Sequence, residues 1–306
     1  MIRYLARRGA QALATIYAVV TLAFVFGRLS GSPAVLILGE NASPEQIAAL
    51  DAELGFDRPV TEQYLAYLGG VLRGDFGASY RERGTSSMDL VLERLPLSLH
   101  LGAWGLGLGL ALAFLVVLVT HLTGWWPLRT VALALGSMRQ STPDFFFGLL
   151  LVIVLAVQLG LLPSLGASGP AALVMPALTI ATGQFVVYAR LLDNSLVAQS
   201  SMDYVRTARA RGEGHSRVLL GEVLPNALLP VMTVAGINLG TFLGGLVIVE
   251  NVFAWPGLGQ LMLSSVYARD FPVVQSALVV VALLFVAANL LVDLVSSLVD
   301  PRVRLR

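Results

Sequence analysis

The chain has 306 residues, of which 56% are hydrophobic and 13% are charged, and its formal net charge is +1. This composition is typical of a membrane protein rather than a soluble domain. All 20 basic residues are arginine and there is no cysteine, which excludes a lysine-dependent nucleotide-binding P-loop, a Schiff-base enzyme, a disulfide and a thiolate metal site. The three histidines lie far apart in the sequence, so no metal site is expected.

The first apolar segment, Gly9–Leu29, follows a short basic N-terminus. It is longer than the core of a signal peptide and no small-residue cleavage site follows it, so it predicts a first transmembrane helix. Residues 30–95 hold ten acidic residues against five arginines and no apolar window of about 20 residues. Ser43 is predicted to cap a helix that starts at Pro44, and a second helical pattern runs over Val60–Leu72. We expect a small helical insertion outside the cytoplasm.

Five further apolar segments have the length of a membrane span. They are Leu97–Val119, Phe145–Leu162, Val174–Leu192, Val231–Val249 and Val273–Val299. The sequence therefore predicts an all-α polytopic membrane protein with six transmembrane helices and the insertion between helices 1 and 2. Its segments would be residues 1–29 (N-terminus and first helix), 30–95 (insertion) and 96–306 (core of helices 2 to 6).

Two of these spans carry unusual residues. The second contains glycines at 102, 105, 107 and 109; helix packing explains them better than a dinucleotide-binding loop, which needs a preceding strand. The fourth is interrupted by Thr179, Thr182, Gly183 and Gln184. With six spans, 13 of the 20 arginines fall on one side of the membrane and seven on the other. Because basic loops stay in the cytoplasm, both termini are expected there.

A polar, arginine-rich segment, Tyr204–Pro230, separates the fourth and fifth spans. Good helix formers are followed by Gly212 and Gly214, which supply a stop, and Ser216 is a plausible cap for a helix that resumes at Val218. An ordinary basic loop that obeys topology is one interpretation of this segment.

The spacing of residues within Tyr204–Pro230 favours a more specific interpretation of this segment. Ala208 and Gly212 are followed by Leu224-Pro225, and the stretch ends in Pro225-Asn226-Ala227-Leu228-Leu229-Pro230. This pattern resembles the Glu-Ala-Ala coupling loop of ABC importer permeases, in the branch that carries dipeptides, oligopeptides and nickel chelates. Arg206 and Thr207 replace the leading Glu-Ala, as is usual in that branch, whereas its usual arginine before Asn226 is missing.

The resemblance extends over nearly the whole chain. It includes Leu54–Tyr80, the segment Glu250–Gly259 and the ending that starts at Asp300-Pro301-Arg302. One departure is Ser30-Gly31-Ser32-Pro33, where the family has Pro-Gly-Asp-Pro, so a role for that aspartate is in doubt.

The resemblance implies a permease subunit in a bacterial inner membrane that is not an enzyme. A homologous second permease, two cytoplasmic ATP-binding subunits and an extracytoplasmic solute-binding protein would complete the importer. The partner ATPases would bind ATP and Mg, so no cofactor is expected in this chain. Coupling to the ATPases would involve the loop over residues 193–230, in which Ala208–Leu224 would act as a lever. The residues expected to carry this coupling are Tyr204, Arg206, Ala208, Arg209, Gly212, Leu224 and Pro225. An external gate segment would include Glu250, Phe253, Pro256 and Gly257.

A translocation path is expected along the fifth and sixth spans. Gly236, Gly240 and Gly244 recur every four residues and so share a helix face. They form either a packing seam or a path wall. With neighbouring polar residues, the candidate path residues are Gly236, Asn238, Gly240, Thr241, Gly244, Asn289 and Asp293.

The carboxylates leave one alternative class open. Asp144 is expected at a span start, and Asp193 and Glu250 are expected at span edges where water reaches them. Only Asp293 is a candidate for the membrane interior, where a carboxylate is costly, and an interfacial or partner-bonded acid is the alternative for it. A proton relay through Asp293 would make the chain a stand-alone ion-coupled carrier. Within the importer class, a di- or oligopeptide is the expected cargo, with a nickel chelate or another small solute as the alternative.

Overall fold

The computed structural model describes residues 2–29, 31–39, 41–82 and 84–299. Within its helices, the side chains of residues 2–7, 36, 237, 239–243 and 291–299 lie outside this description. The described chain is helical, and its only β-type pairing is an isolated antiparallel bridge between Ala78 and Ser86. The predicted all-α polytopic fold is confirmed.

The described residues form thirteen α-helices, two of which continue into π-helical turns. The α-helices are α1 Ile2–Leu29, α2 Ala34–Leu38, α3 Pro44–Glu53, α4 Val60–Arg73, α5 Ser87–Thr123, α6 Trp126–Gln140, α7 Asp144–Leu151, α8 Pro170–Ser200, α9 Asp203–Ala210, α10 His215–Val218, α11 Leu224–Val252, α12 Leu258–Tyr267 and α13 Phe271–Val299. The π-helical turns are Val152–Gln158 after α7 and Leu219–Val223 after α10.

Local sequence signals set the short helices α3 and α4. The Ser43 hydroxyl accepts the Gln46 N–H, and the Gln46 side chain accepts the Ser43 N–H, which completes a capping box ahead of Pro44. Such a box satisfies two helix N–H groups that have no partner within the helix. Helix α4 ends at Gly74, whose φ of 73° is readily available only to glycine. Both predicted helices of the insertion are therefore present.

The membrane spans differ from the prediction in one region. Five helices are long and apolar enough to cross a membrane, and a sixth span arises only if α6 and α7 count as one broken element. The helix direction bends by 108° between them, around Ser141-Thr142-Pro143. The predicted third span, Phe145–Leu162, is helical from α7 through its π turn to Gln158, and a further helix, α6, precedes it at a sharp bend. Pro143 disfavours helix at the residue before it, so the apolar run begins after a sharp turn.

The fifth span also begins earlier than predicted. Helix α10, the π turn and α11 follow one another without a break from His215 to Val252. Ser216 lies inside α10 rather than at its cap, and Gly214 occupies the cap position. The helix starts early because apolar residues before Val231, including Val218, are buried.

Two compact units make up the chain. The described residues within 1–98 and 256–287 form the first, and those within 99–255 and 288–299 form the second. In the first unit, buried Asp270 accepts the hydroxyl of Ser79 and the backbone N–H groups of Tyr80 and Arg81, at 3.1 Å and 3.3 Å for the two amides. This carboxylate holds the loop after α4 onto the start of α13. The predicted segments 1–29, 30–95 and 96–306 concern membrane topology and stay a prediction.

Glycines bring two helices of the second unit together. A Cβ atom on Gly105 would lie 2.5 Å from the Ile180 side chain, and one on Gly109 would lie 2.8 Å from the Ala181 carbonyl oxygen. Only glycine permits such an approach of α5 to α8. Gly107 has nothing within 4 Å of the corresponding position. The packing interpretation of this glycine-rich span is thus confirmed at two of its glycines.

Candidate functional site

Helix α9 opens the coupling segment, which we define as residues 203–224, and it has one buried and one exposed face. Val205 and Ala208 are fully buried, whereas Arg206 and Arg209 are exposed. Tyr204 is half-buried and its hydroxyl donates to the Gln199 side chain at 2.9 Å. Burial raises the pKa of this phenol, and nearby Glu222 adds to the effect. The helix therefore presents arginines outward while its small apolar residues pack inward.

A glycine turn reverses the chain after α9. Gly212 has a φ of 82°, and its N–H donates to the Arg209 carbonyl at 2.9 Å. This is a left-handed conformation that other residues adopt only at a cost. Beside it, Arg211 lies 3.1 Å from Glu213 and 3.9 Å from Glu222. The backbone turn therefore sets how α10 follows α9, and these exposed ion pairs add little to it.

Apolar packing joins the coupling segment to the bundle. Residues of the segment share one buried cluster with residues of α5, α8 and α11. The members from the segment are Val205, Ala208, Val218, Leu219 and Val223, and those from the bundle are Ala113, Val117, Tyr188, Ala189, Leu192, Leu196, Ala227 and Val231. All are at most 3% exposed. Since such interiors are close-packed, the segment and the bundle resist moving independently.

A buried carboxylate adds polar contacts at the same place. Asp193 of α8 is 3% exposed at its side chain and accepts hydrogen bonds from Arg129 of α6 and His121 of α5, at 3.0 Å from Arg129 Nε and 3.0 Å from His121 Nε2. Arg129 Nη2 also donates to it. The backbone carbonyl of His121 in turn accepts His215 Nε2–H of α10 at 3.0 Å. This cluster therefore links the coupling segment to three helices.

Two predictions about carboxylate exposure are wrong. Asp193 was expected in contact with water, but α8 continues past it to Ser200 and the arginine of α6 covers it. Glu250 was also expected at an exposed span edge, yet it lies within α11 and is 0% exposed. Asp144, which was expected at a span start, is the first residue of α7, and its side chain is 53% exposed.

A polar cavity of about 340 Å³ lies in the second unit, between the α6–α7 bend, α8 and α11. Its polar lining residues are Arg139, Gln140, Asp144, Gln184 and Asn238. Its other lining residues are Ile180, Gly183, Val187, Gly245 and Val249. The volume falls within the range of small-molecule sites, which is roughly 300–1,000 Å³.

Arg139 holds the bend that forms one wall of this cavity. Its guanidinium donates to Asp144 Oδ1 at 2.7 Å, to the carbonyls of Thr142 and Thr179 at 2.9 Å and 2.8 Å, and to the Thr182 hydroxyl at 3.1 Å. The ring of Phe147 lies 4.1 Å below it. Because the guanidinium is only 8% exposed and makes four hydrogen bonds, it is committed to joining α6, α7 and α8.

Asn238 is the predicted path residue that the structure places on the cavity. Its amide donates to the Tyr188 hydroxyl at 3.1 Å and to Gln184 Oε1 at 3.3 Å. Gly236 is half-buried and Gly244 is exposed, with nothing near its Cβ position, so Gly244 forms no packing seam within the described chain. Asn289 is half-buried in α13.

The surroundings of Gly240 and the side chains of Thr241 and Asp293, the other path candidates, lie outside the description. The path assignment as a whole therefore stays a prediction.

Helix α11 ends at the predicted gate segment. Phe253 is buried, and a Cβ atom on Gly148 of α7 would lie 3.1 Å from its ring. The Trp255 N–H donates to the Glu250 carbonyl at 2.8 Å. Pro256 and Gly257 precede α12, with Gly257 at its cap. A gating role for these residues stays a prediction.

Sequence reasoning missed the pairing of Arg139 with Asp144 and the place of Gln140 and Gln184 on the cavity. The interruption of an apolar span by Gln184 was the available signal, since a buried amide in such a span needs partners. For the arginine, its position just before the Pro143 helix stop was the only local cue.

Known proteins resemble the chain along its whole length. Residues 105–305 match the family described as "Binding-protein-dependent transport system inner membrane component", and residues 1–102 match "Binding-prot-dependent transport system membrane comp, N-term". The "Glutathione transport system permease protein GsiC" of Salmonella choleraesuis strain SC-B67 is 36% identical over 99% of both chains. The protein of the same name from Escherichia coli strain K12 is 34% identical over 99% of both.

Solved structures share the fold of the core. A structure described as inward-facing conformations of the MetNI methionine ABC transporter has a TM-score of 0.55 and 20% identity, covering 69% of this chain and 96% of that one. A structure of an amino acid ABC transporter has a TM-score of 0.54 and 18% identity, covering 68% of this chain and 94% of that one.

Proposed function

Because this chain belongs to the family of binding-protein-dependent transport system inner membrane components, we propose that it conducts short peptides across a bacterial inner membrane. It is an ABC importer permease subunit of the peptide and nickel class, a translocation protein rather than an enzyme. The relatives at 34–36% identity are named for transport of glutathione, which is a tripeptide. That name supports a peptide cargo over a nickel chelate.

The observation that carries the proposal is the coupling segment. Its outer face offers Arg206 and Arg209 to a partner, while Val205 and Ala208 pack into the cluster shared with α8 and α11. A displacement of α9 by a partner would therefore move α8 and α11 with it. Rigid-body motion of packed helices of this kind is an established form of switching.

The energy for transport would come from partner subunits. Without any lysine, the chain cannot form a P-loop of the common type. In the proposed assembly, two cytoplasmic subunits bind ATP and Mg, a homologous second permease completes the path, and an external solute-binding protein delivers the peptide. Both termini lie in the cytoplasm in this arrangement, in keeping with the distribution of arginines.

Purification of the tagged full chain in mild detergent, with identification of co-purifying proteins, tests the assembly. Two ATPases and a second permease are expected. The assembly is then reconstituted in liposomes with the co-identified binding protein, and uptake of labelled glutathione, labelled trialanine and a labelled nickel chelate is measured with and without ATP.

ATP-dependent uptake of either peptide supports the proposal, and uptake of the nickel chelate alone contradicts the peptide assignment. A control places the purified chain by itself in liposomes under a proton or sodium gradient. Gradient-driven uptake there, with no ATPase bound, would contradict the importer mechanism and favour an ion-coupled carrier.

A further inference from the structure

We infer that the polar cavity of the second unit contacts the cargo itself, taking the amino-terminal ammonium of a peptide at Asp144 and a peptide carbonyl at Gln184. This inference rests on the proposed function and adds to it the residues and the chemical groups that meet during passage. The cavity, at about 340 Å³, is large enough for part of a short peptide.

The accessible charge in the cavity is negative. Arg139 is 8% exposed and its four hydrogen bonds to protein groups commit it to the wall. Asp144 lines the cavity and is 53% exposed, and among the described residues Arg139 engages only its Oδ1, so Oδ2 has no hydrogen-bond partner there. A ligand therefore meets a carboxylate oxygen rather than a guanidinium. The group that fits is a cationic donor, such as an ammonium.

The neighbouring arginine also limits how tightly such a cation binds. Because Arg139 neutralises much of the carboxylate charge, an ammonium at Oδ2 gains a hydrogen bond but little net Coulomb energy. Weak binding suits a passage site, where a solute must be able to enter and to leave.

The opposite side of the cavity offers an oriented amide. Asn238 donates to Gln184 Oε1 at 3.3 Å and to the Tyr188 hydroxyl at 3.1 Å, so the carbonyl end of Gln184 is fixed. The NH₂ group of Gln184 then remains as a donor without a partner among the described side chains. A peptide carbonyl is a matching acceptor. Asn238 acts here as a positioning residue, since it orients the amide that touches the ligand.

Two glycines keep the space open. A Cβ atom on Gly183 would lie 3.3 Å from Asp144 Oδ1, so a side chain there would press on the ion pair. Gly245 lies on the cavity wall with nothing within 4 Å of its Cβ position. The first atom of a side chain at 245 would therefore meet open space at the cavity wall, so a larger residue there is expected to reduce the cavity volume.

The test uses the complete assembly in liposomes with saturating, peptide-loaded binding protein, so that delivery does not limit the rate. Uptake of labelled trialanine and labelled glutathione and the ATP hydrolysis stimulated by the binding protein are measured together. The variants are Asp144→Asn, Asp144→Glu and Gly245→Leu, and the control is Gly107→Leu, a mid-helix glycine with open surroundings away from the cavity.

Loss of one charge-assisted hydrogen bond to the peptide predicts a decrease in maximal peptide uptake of about tenfold for Asp144→Asn. Because this change also weakens the ion pair with Arg139, Gly245→Leu supplies the independent test of the cavity. Asp144→Glu, which keeps the charge, should retain more uptake than Asp144→Asn. Gly245→Leu should block uptake while leaving the ion pair intact. Stimulated ATP hydrolysis should stay unchanged in all of them, and Gly107→Leu should behave as wild type.

Two failures have different meanings. If the wild-type assembly takes up neither peptide, the proposed function is wrong and the cavity inference falls with it. If the wild type takes up peptide and both Asp144→Asn and Gly245→Leu retain its rate, the cavity inference alone is overturned. Parallel loss of uptake and ATP hydrolysis would also overturn it, because that result indicates a structural or coupling defect.

Discussion

Substitutions of Gly212 test whether the turn of the coupling segment depends on the left-handed backbone conformation at this position or on the absence of a side chain there. Gly212 has a φ of 82° and nothing within 4 Å of its Cβ position. A side chain there therefore meets no atom, and the cost of substitution comes from the backbone alone. For alanine this cost is about 1–2 kcal/mol, whereas asparagine tolerates the left-handed region and should cost less.

Proline at this position should be the most damaging change. Its ring fixes φ near roughly −65°, and it removes the N–H that donates to the Arg209 carbonyl at 2.9 Å. The lost hydrogen bond adds about 1 kcal/mol to the conformational conflict. Since about 1.4 kcal/mol corresponds to a tenfold change in an equilibrium, Gly212→Pro should disfavour the native turn by more than about tenfold.

The assay is the number of peptides taken up per ATP hydrolysed by the reconstituted assembly. We expect this ratio to fall in the order glycine, asparagine, alanine, proline at position 212, while insertion into the membrane is unchanged. Gly214→Ala is the matched control, because Gly214 has a φ of −69° and equally open surroundings. A wild-type ratio for Gly212→Pro, or equal losses for asparagine and proline, would refute the backbone argument.

Three further changes test the packing and the charges. Gly109→Ala should destabilise the protein by about 1–3 kcal/mol in detergent unfolding, because its Cβ would lie 2.8 Å from a carbonyl oxygen of the facing helix. Gly107→Ala has open surroundings and should stabilise the helix by up to about 1 kcal/mol. Asp193→Asn should lower the free energy of unfolding by about 1–3 kcal/mol, which is less than for a fully buried ion pair because its arginine partner is 31% exposed. As a control, Asp203→Asn removes a carboxylate whose side chain is 95% exposed and should have no measurable effect on stability. Burial raises the pKa of Tyr80 to about 12. The stability that its neutral phenol contributes is therefore complete below about pH 10 and is lost as the pH rises through 12. A difference titration of phenolate absorbance between the wild type and Tyr80→Phe should show one group that ionises near pH 12 and not near 10.

Local chemistry made parts of the fold predictable. The capping box at Ser43 and the glycine stop at Gly212 are encoded within a few residues, and the structure has both. Hydropathy likewise located the long spans, since a membrane requires about 20 apolar residues for each. The α6–α7 bend was not predictable in this way, because the apolar run after Pro143 has the same composition whether it crosses the membrane or turns back.

The charged and polar contacts depended on the tertiary structure. Arg129 and Asp193 are 64 residues apart in sequence, and nothing in either neighbourhood indicates the other. The same limit applies to Gly109 and Gly107, which look alike in sequence although only the first touches a neighbouring helix. Asn238 was found because an amide in an apolar helix is unusual enough to be informative by itself.

The unbroken helix from His215 to Val252 has a consequence for how force would travel through the protein. It contains 38 residues, which at 1.5 Å per residue gives a rod of about 57 Å. The hydrocarbon core of a bilayer is only about 30 Å thick. The rod must therefore tilt strongly or project from the membrane. Its His215 end lies within the coupling segment, where the His215 side chain donates to the His121 carbonyl of α5. A small sideways step at that end, with the bilayer as the pivot, becomes an opposite step at the Val252 end to the extent that the π-helical turn Leu219–Val223 and Pro230 do not bend.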